Sequence, residues 1–244
     1  MRCSGTRQNK DDCGLDGLHS AFRIPHSAFI MRVDPERPDP EVIRQAAQVV
    51  RVGGVIGYPA ETVYGLGADP YDLDAVRRVF DVKGREGRKG FILVVLDERM
   101  LMCTVAEVSP PARRLMDAFW PGPLTLIFRA SADLPDVLLG GGDTVAVRRT
   151  SDPVAQALLQ ALKCPLISTS ANRAGEPPCR SAAEVANTFR DRLDLILDDG
   201  TVRDQMPSSI VDVSSEKVRM VRAGAVTRSE VERVLGHPFE GERG

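Results

Sequence analysis

From Asp39 onward the sequence switches repeatedly between a helical and a strand period, and most of the helical stretches carry their own start signal. Asp39-Pro40-Glu41 sets a capping side chain before a proline at the first helical position, and Val42, Ile43, Ala46, Val49 and Val50 form one apolar face behind it. Gly53-Gly54 closes that helix, and residues 55–58 read as a short buried strand. Asp72 caps a second helix through Val82, Ser109-Pro110 opens a third to Phe119, and Asp152-Pro153 opens a fourth with Val154, Ala157, Leu158 and Ala161 inside. Ser181-x-x-Glu184 and Thr227-x-x-Glu230 are capping-box patterns for two more. Between them, residues 91–96, 124–128, 144–148, 165–168, 195–197, 209–213 and 218–222 have strand character. Helices and strands interleave, yet some strands follow one another directly. The expected class is therefore α/β, a single domain built on one twisted, mixed sheet flanked by helices.

The first thirty residues lack this order. They are polar, hold no sustained period, and nearly repeat themselves as His19-Ser20-Ala21-Phe22-Arg23-Ile24 and His26-Ser27-Ala28-Phe29-Ile30-Met31. Residues 1–31 are accordingly expected to be a disordered or start-site extension, with the domain at 32–240. The chain of 244 residues is long enough to bury a core without staples. Its 32 basic and 34 acidic side chains give a net charge of −2, so phosphate binding has to come from local clusters. No apolar run approaches the ~18 residues of a membrane span, and the N-terminus has no signal-peptide core. A cytoplasmic protein without a membrane partner is expected.

Composition also limits the chemistry. Between Val33 and Gly236 there is no histidine, which removes His-based triads and His-ligated zinc from the body of the chain. Five cysteines without CxxC spacing argue against a disulfide framework or a metal site. The chemistry falls to Lys, Arg, Ser, Thr, Asn, carboxylates and backbone groups.

Three polar segments stand at strand ends, where α/β folds gather ligands. The first runs Tyr58-Pro59-Ala60-Glu61-Thr62-Val63-Tyr64-Gly65-Leu66-Gly67. The second, Lys83-Gly84-Arg85-Glu86-Gly87-Arg88-Lys89-Gly90, holds four cations in seven residues but lacks the Gly-Lys-Ser/Thr ending of a Walker loop. Read alone, it is either a solvated loop or a polyphosphate cradle. The third, Ser168-Thr169-Ser170-Ala171-Asn172, either caps a turn or hydrogen-bonds a nucleotide. Arg148 ends an apolar strand, a costly place for a charge without a partner.

Taken together with Trp120-Pro121-Gly122-Pro123-Leu124-Thr125, Thr144-Val145-Ala146-Val147-Arg148, Pro207-Ser208-Ser209-Ile210-Val211-Asp212 and Val221-Arg222-Ala223-Gly224, these segments resemble the YrdC family in order and spacing from Pro40 to Leu235. Lys89-Gly90-Phe91-Ile92-Leu93 and Pro177-Pro178-Cys179-Arg180 look most like its short bacterial branch, in which no second domain follows. The resemblance implies an α/β domain around a deep basic cavity. It also implies a synthase that joins L-threonine, bicarbonate and ATP into threonylcarbamoyl-AMP and pyrophosphate. A separate threonylcarbamoyl-transferase complex would then modify adenosine 37 of tRNA, and tRNA itself is a candidate partner. Lys83 and Arg85 are implied as the catalytic, phosphate-neutralising pair. Thr144, Ser168, Ser170, Asn172 and Arg222 are implied for ATP, and Thr62, Arg148, Ser170 and Ser209 for threonine. Mg²⁺ is expected with the triphosphate, with no metal ligands from the protein.

Two positions depart from the family pattern. Ala60 stands where a threonine usually helps to hold the amino acid, which puts amino-acid choice in question, and Ser209 stands where many members carry threonine. The alternative from another class is a double-stranded RNA or tRNA binding module without catalysis, which calls for cations spread along an exposed face. A carbamoyl-adenylate former of hydrogenase maturation is a third reading, but such proteins carry extra domains for which this chain has no room.

Overall fold

The computed structural model describes residues 29–84, 90–200 and 206–238. In chain order the elements are β1 (Phe29–Arg32), α1 (Pro40–Arg51), β2 (Ile56–Tyr58), β3 (Gly65–Gly67), α2 (Leu73–Lys83), β4 (Ile92–Val95), α3 (Glu98–Met102), α4 (Pro110–Phe119), β5 (Leu124–Arg129), α5 (Asp136–Leu139) and β6 (Thr144–Arg149). They continue with α6 (Pro153–Leu162), β7 (Leu166–Ile167), β8 (Thr169–Ser170), α7 (Ala182–Phe189), β9 (Leu195–Asp198), β10 (Ser209–Asp212), β11 (Arg219–Arg222) and α8 (Arg228–Leu235).

The capping signals act as the sequence indicates. Asp39, Asp72, Ser109, Asp152, Ser181 and Thr227 each accept a backbone N–H of the first helical turn, satisfying donors that the helix cannot. Only one of the two expected capping boxes closes. Glu230 reaches back to the Thr227 backbone N–H, whereas Glu184 takes the N–H of Arg180, one residue before its cap.

The mixed sheet is two sheets. One has the order β1-β9-β2-β3-β8 and the other β11-β10-β5-β6-β4-β7, and each combines parallel and antiparallel pairs. They meet in a single extended stretch. β7 pairs antiparallel with β4 in the second sheet, and β8 pairs antiparallel with β3 in the first. Ser168 lies between them, its N–H donating to Ile92 O, while Ile167 N donates to Ala68 O. The expected strand at 165–168 is therefore the crossing point from one sheet to the other.

A second expectation also shifts. The boundary drawn after residue 31 falls inside β1, whose Phe29, Ile30 and Met31 pair with Leu195, Ile196 and Leu197 of β9. Residues 1–28 lie outside the described residues, as do 239 and 240 at the other end.

Helices close the two sheets: α1 packs on α6, α4 on α8, and α7 on β2 and β9. Among the described residues no helix is long and apolar enough to cross a membrane. Cys164 and Cys179 are free thiols.

β3 explains the glycine pair of the first motif. Tyr58, fully buried, faces Gly65 across the β2–β3 pairing, and its ring lies where side chains would stand. A Cβ on Gly65 or Gly67 would come within 3.2 or 3.0 Å of the Tyr58 ring. Gly224 is under tighter constraint. A Cβ there would enter the van der Waals shell of Pro207 O and lie 2.8 Å from Ser208 C and Ser209 N. Gly224→Ala has to displace the entry of β10 and is expected to cost about 1–3 kcal/mol, as overpacking does. Urea unfolding measures it, and an unchanged midpoint would show that this backbone yields freely.

Candidate active site

Strand period places the central arginine. On β6, Thr144, Ala146 and Arg148 share one face, while Val145, Val147 and Arg149 share the other. Ala146 stands beside Ile92 of β4 and Ile127 of β5, and Arg148 beside Val94. This makes Arg148 part of a sheet face, and it is only 6% exposed. A cation so placed needs a counter-charge.

Glu61 supplies it from the loop between β2 and β3. Its Oε2 lies 2.8 Å from Arg148 Nη2, with both side chains at least nine-tenths buried. Its Oε1 accepts from Thr150 Oγ1 at 2.9 Å, Ser151 N at 2.5 Å and Ser151 Oγ at 3.1 Å. The carboxylate is thus pinned through one oxygen to the residues that follow β6, and presents the other to the guanidinium. That contact is an ion pair without hydrogen-bond alignment. Glu61 Oε2 and Arg148 Nε are buried polar atoms that lack a hydrogen bond, and the third such atom among the described residues is Tyr58 Oη. Burial raises the Tyr58 phenol above its ordinary pKa.

A second guanidinium approaches from β11. Arg222 is solvent-exposed as a residue, but its head folds back onto Ser208, with Nε and Nη2 donating to the Ser208 carbonyl at 3.0 and 2.7 Å. Nη2 also donates to Ser208 Oγ at 3.2 Å, and that hydroxyl lies 3.0 Å from Thr125 Oγ1. Desolvation, and after it the Arg148 charge, lower the Arg222 pKa. Register puts Arg222 beside Ile210 of β10 and Ile210 beside Thr125 of β5, on the face that Ile127 shares with Ala146 and Arg148, so two cations share this face, one paired with a carboxylate and the other held by dipoles.

The Ser168–Asn172 segment is fixed by Lys83. At the end of α2, the Lys83 ammonium donates to Ser170 O at 2.5 Å, Asn172 O at 3.1 Å and Asn172 Oδ1 at 3.0 Å, and Lys83 is 4% exposed. Ala174 N returns a bond to Lys83 O. Ser170 Oγ donates to Asn172 Oδ1 at 2.6 Å, and Asn172 Nδ2 donates to the carbonyls of Arg173 and Glu176. In this arrangement Lys83 clamps the loop. Arg85 lies outside the described residues, together with Arg88 and Lys89.

The remaining sequence candidates divide. Thr62 is buried next to Glu61, and Thr144 begins β6, about 13 Å from Arg148 at ~3.3 Å per strand residue. Ser209 is set apart: its fully buried hydroxyl donates to Val226 O and accepts from Val226 N, so it faces the chain and not the arginines. Ser208, one residue earlier, is the hydroxyl beside Arg222. Sequence reading missed it along with Thr125, Thr150 and Ser151, because one-residue alternation leaves the inward member of Ser208-Ser209 undecided. Glu61 carried a usable signal, since an unpaired Arg148 called for an acid. A cavity of about 270 Å³ lined by Leu101, Arg113, Trp120 and Arg149, among others, opens on the opposite face of β6 and does not reach Arg148. The assembled groups are cations, hydroxyls and an amide, suited to holding and aligning anions more than to moving protons.

Breaking the buried pair from one side strands a charge. Arg148→Met is expected to cost about 3–5 kcal/mol, and Glu61→Gln/Arg148→Met considerably less than the sum of the single changes. Urea unfolding of the four proteins closes the cycle, and strict additivity would show that the pair has no coupling.

Residues 48–224 match the family model Sua5_yciO_yrdC, described as telomere recombination. A threonylcarbamoyl-AMP synthase of Nitrosococcus oceani is 42% identical over 170 residues, 70% of this chain and 92% of that one. One of Pyrococcus abyssi is 37% identical over 201 residues, 82% of this chain, and the chain spans 59% of that relative's length. Among solved structures, P. abyssi Sua5 complexed with L-threonine superposes with a TM-score of 0.83 at 36% identity, over 88% of this chain and 62% of that one. E. coli YciO does so with a TM-score of 0.77 at 30% identity, over 84% and 99%. With a family model matched over residues 48–224 and a relative 42% identical over 92% of its own length, the chain belongs to the Sua5/YciO/YrdC family.

Proposed function

We propose that the chain is a threonylcarbamoyl-AMP synthase, joining L-threonine, bicarbonate and ATP into threonylcarbamoyl-AMP and pyrophosphate. The observation that carries this reading is the pair of guanidiniums, Arg148 and Arg222, placed by strand register on one sheet face beside the Ser168 crossing, in a chain with relatives of that name. The Sua5 complex with L-threonine supports an amino acid as one substrate.

The chemistry asks for what the site offers. The threonine amine and bicarbonate combine to a carbamate with loss of water. A carbamate oxygen then attacks the α-phosphorus of ATP, and pyrophosphate leaves. Both steps bring anions together, so alignment and charge neutralisation carry more of the barrier than a strong base does. In this reading Arg148 holds the amino-acid carboxylate, with Thr62 nearby. Arg222, Lys83 and Arg85 serve the phosphates, and Ser168, Ser170, Asn172 and Thr144 orient ATP. Ser208 takes the place given to Ser209, whose hydroxyl is committed to Val226. A basic cavity between the sheets would keep water from the labile carbamate.

Among the described residues, no three His, Cys, Asp or Glu side chains gather to hold a metal ion. Mg²⁺ is expected to arrive with the triphosphate, and no step here is routed through it. The adenylate would pass to a transferase acting on tRNA. The RNA-binding alternative asks for exposed cations along one face, and the burial and pairing of Arg148 favour the synthase instead.

Pyrophosphate release is expected to require both threonine and bicarbonate; equal ATP turnover with either omitted would sink the assignment. Arg85→Ala is expected to lower adenylate formation about ten- to a hundred-fold, the worth of a charge-assisted contact of about 1.5–3 kcal/mol, and Lys83→Ala, which also removes the clamp on Ser170 and Asn172, at least as much, with melting temperature recorded beside both. Arg88→Ala and Lys89→Ala should stay within a few-fold, as for cations on a solvated rim. Indistinguishable rates across the four variants would reduce the segment to a diffuse basic patch.

A further inference from the structure

We propose that Glu61 is the positioning residue of the site: it sets the orientation of Arg148 and the potential around it, so that the arginine favours a carboxylate over a polyphosphate. The inference rests on the reading of Arg148 as the amino-acid contact.

Three observations lead to it. Glu61 is fixed independently of Arg148, because all its hydrogen bonds arrive at Oε1 from Thr150 and Ser151. The oxygen facing Arg148 carries an ion pair at 2.8 Å but no aligned hydrogen bond, and Arg148 Nε is unbonded too. The guanidinium is held by charge and not by a two-pronged fork, so its N–H directions are not committed to an aligned acceptor. Finally, Arg222 stands close enough for the Arg148 charge to depress its pKa. Without Glu61, two like charges would share the face, and the buried one would have no partner.

A buried ion pair is a poor stability device, since apolar residues of similar volume often serve as well. Its value here lies in what it does to a ligand. A zwitterionic amino acid has no net charge, so it gains little from extra positive potential and depends on where the guanidinium points. A polyanion responds mainly to the potential itself, and gains when a neighbouring negative charge is removed. Glu61 thus trades polyanion affinity for carboxylate geometry at Arg148, and leaves the phosphates to Arg222 and the Lys83 region. Asp152, which also lies near Tyr58, is engaged as the cap of α6, where it accepts from Ala155 N.

The test is calorimetric and needs no turnover. Dissociation constants for L-threonine and for inorganic pyrophosphate are measured on the full chain and on Glu61→Gln and Glu61→Asp. Glu61→Gln is expected to weaken threonine about tenfold or more while pyrophosphate binds as well as before or better, moving the ratio of the two constants at least tenfold. Glu61→Asp keeps the charge, and its ratio should stay within about threefold of wild type even where stability falls. A merely structural carboxylate would weaken both ligands together, so an unchanged ratio in Glu61→Gln overturns the proposal.

If Glu61→Gln is too unstable to assay, Glu61→Gln/Arg148→Met removes both charges. It should lose threonine binding and keep pyrophosphate within about threefold, and retained threonine affinity overturns the proposal. A wild-type protein that binds both ligands but forms no adenylate would refute the synthase reading and leave the ratio test standing. A wild-type protein that binds no threonine refutes both.

Discussion

The ion pair between Glu61 and Arg148 spans the two sheets, and the candidate site depends on it. Glu61 comes from the turn that joins β2 and β3, and Arg148 from the middle strands of the other sheet. Neither side chain is tolerable alone at this depth, because a single buried charge without a partner costs several kcal/mol. Each sheet therefore carries half of an arrangement that is stable only when the other is in place. Thr150 and Ser151 extend the link by tying the same carboxylate to the backbone leaving β6. The turn that carries Glu61 cannot drift without disturbing the N-terminus of α6, since Thr150 Oγ1 also accepts from Asp152 N, the cap of that helix.

The second link is covalent. The chain crosses from sheet to sheet at Ser168, so the residues just after it, Thr169 to Asn172, leave the crossing next to both sheets. Short strands of two residues have little pairing strength of their own, and Lys83 compensates by gathering the carbonyls of Ser170 and Asn172. An ammonium makes a good hub for this purpose. It has three donors and no preferred plane, so it can serve acceptors that point from several directions. In the proposed reaction the same ammonium would have to meet phosphate, and the carbonyls that hold it now set where that meeting takes place.

Much of the fold was legible because helix caps are local. Asp39, Asp72, Ser109 and Asp152 each act within three residues of themselves, and sequence shows that range in full. The failures concern what lies further away. Glu184 differs from Glu230 only in which backbone N–H it meets, and the order of the two sheets depends on pairings between residues far apart in the chain. The strands β3 and β8 have two or three residues, too few for any period, and β3 is mostly glycine for a reason visible only in three dimensions: the Tyr58 ring fills that space. At the site, Arg148 announced itself as a charge in need of a partner. The choice between Ser208 and Ser209 did not, because it turns on which of two adjacent hydroxyls meets the backbone of Val226, a residue distant in the chain.

The absence of histidine from 33–236 and the burial of Arg148 have one consequence in common. A site without a group that titrates near neutrality has no proton switch to tune, so its control over reactivity has to come from where fixed charges stand. Arginine suits that role, since a guanidinium stays charged across the ordinary pH range. What can be adjusted is geometry: which N–H bonds are already taken, and by what. Arg222 has spent two of its donors on the Ser208 carbonyl, whereas Arg148 has spent none on an aligned acceptor. That difference gives two chemically identical side chains different work. The first is a fixed positive wall, and the second keeps its hydrogen-bonding capacity for a ligand, held in readiness by a carboxylate anchored elsewhere.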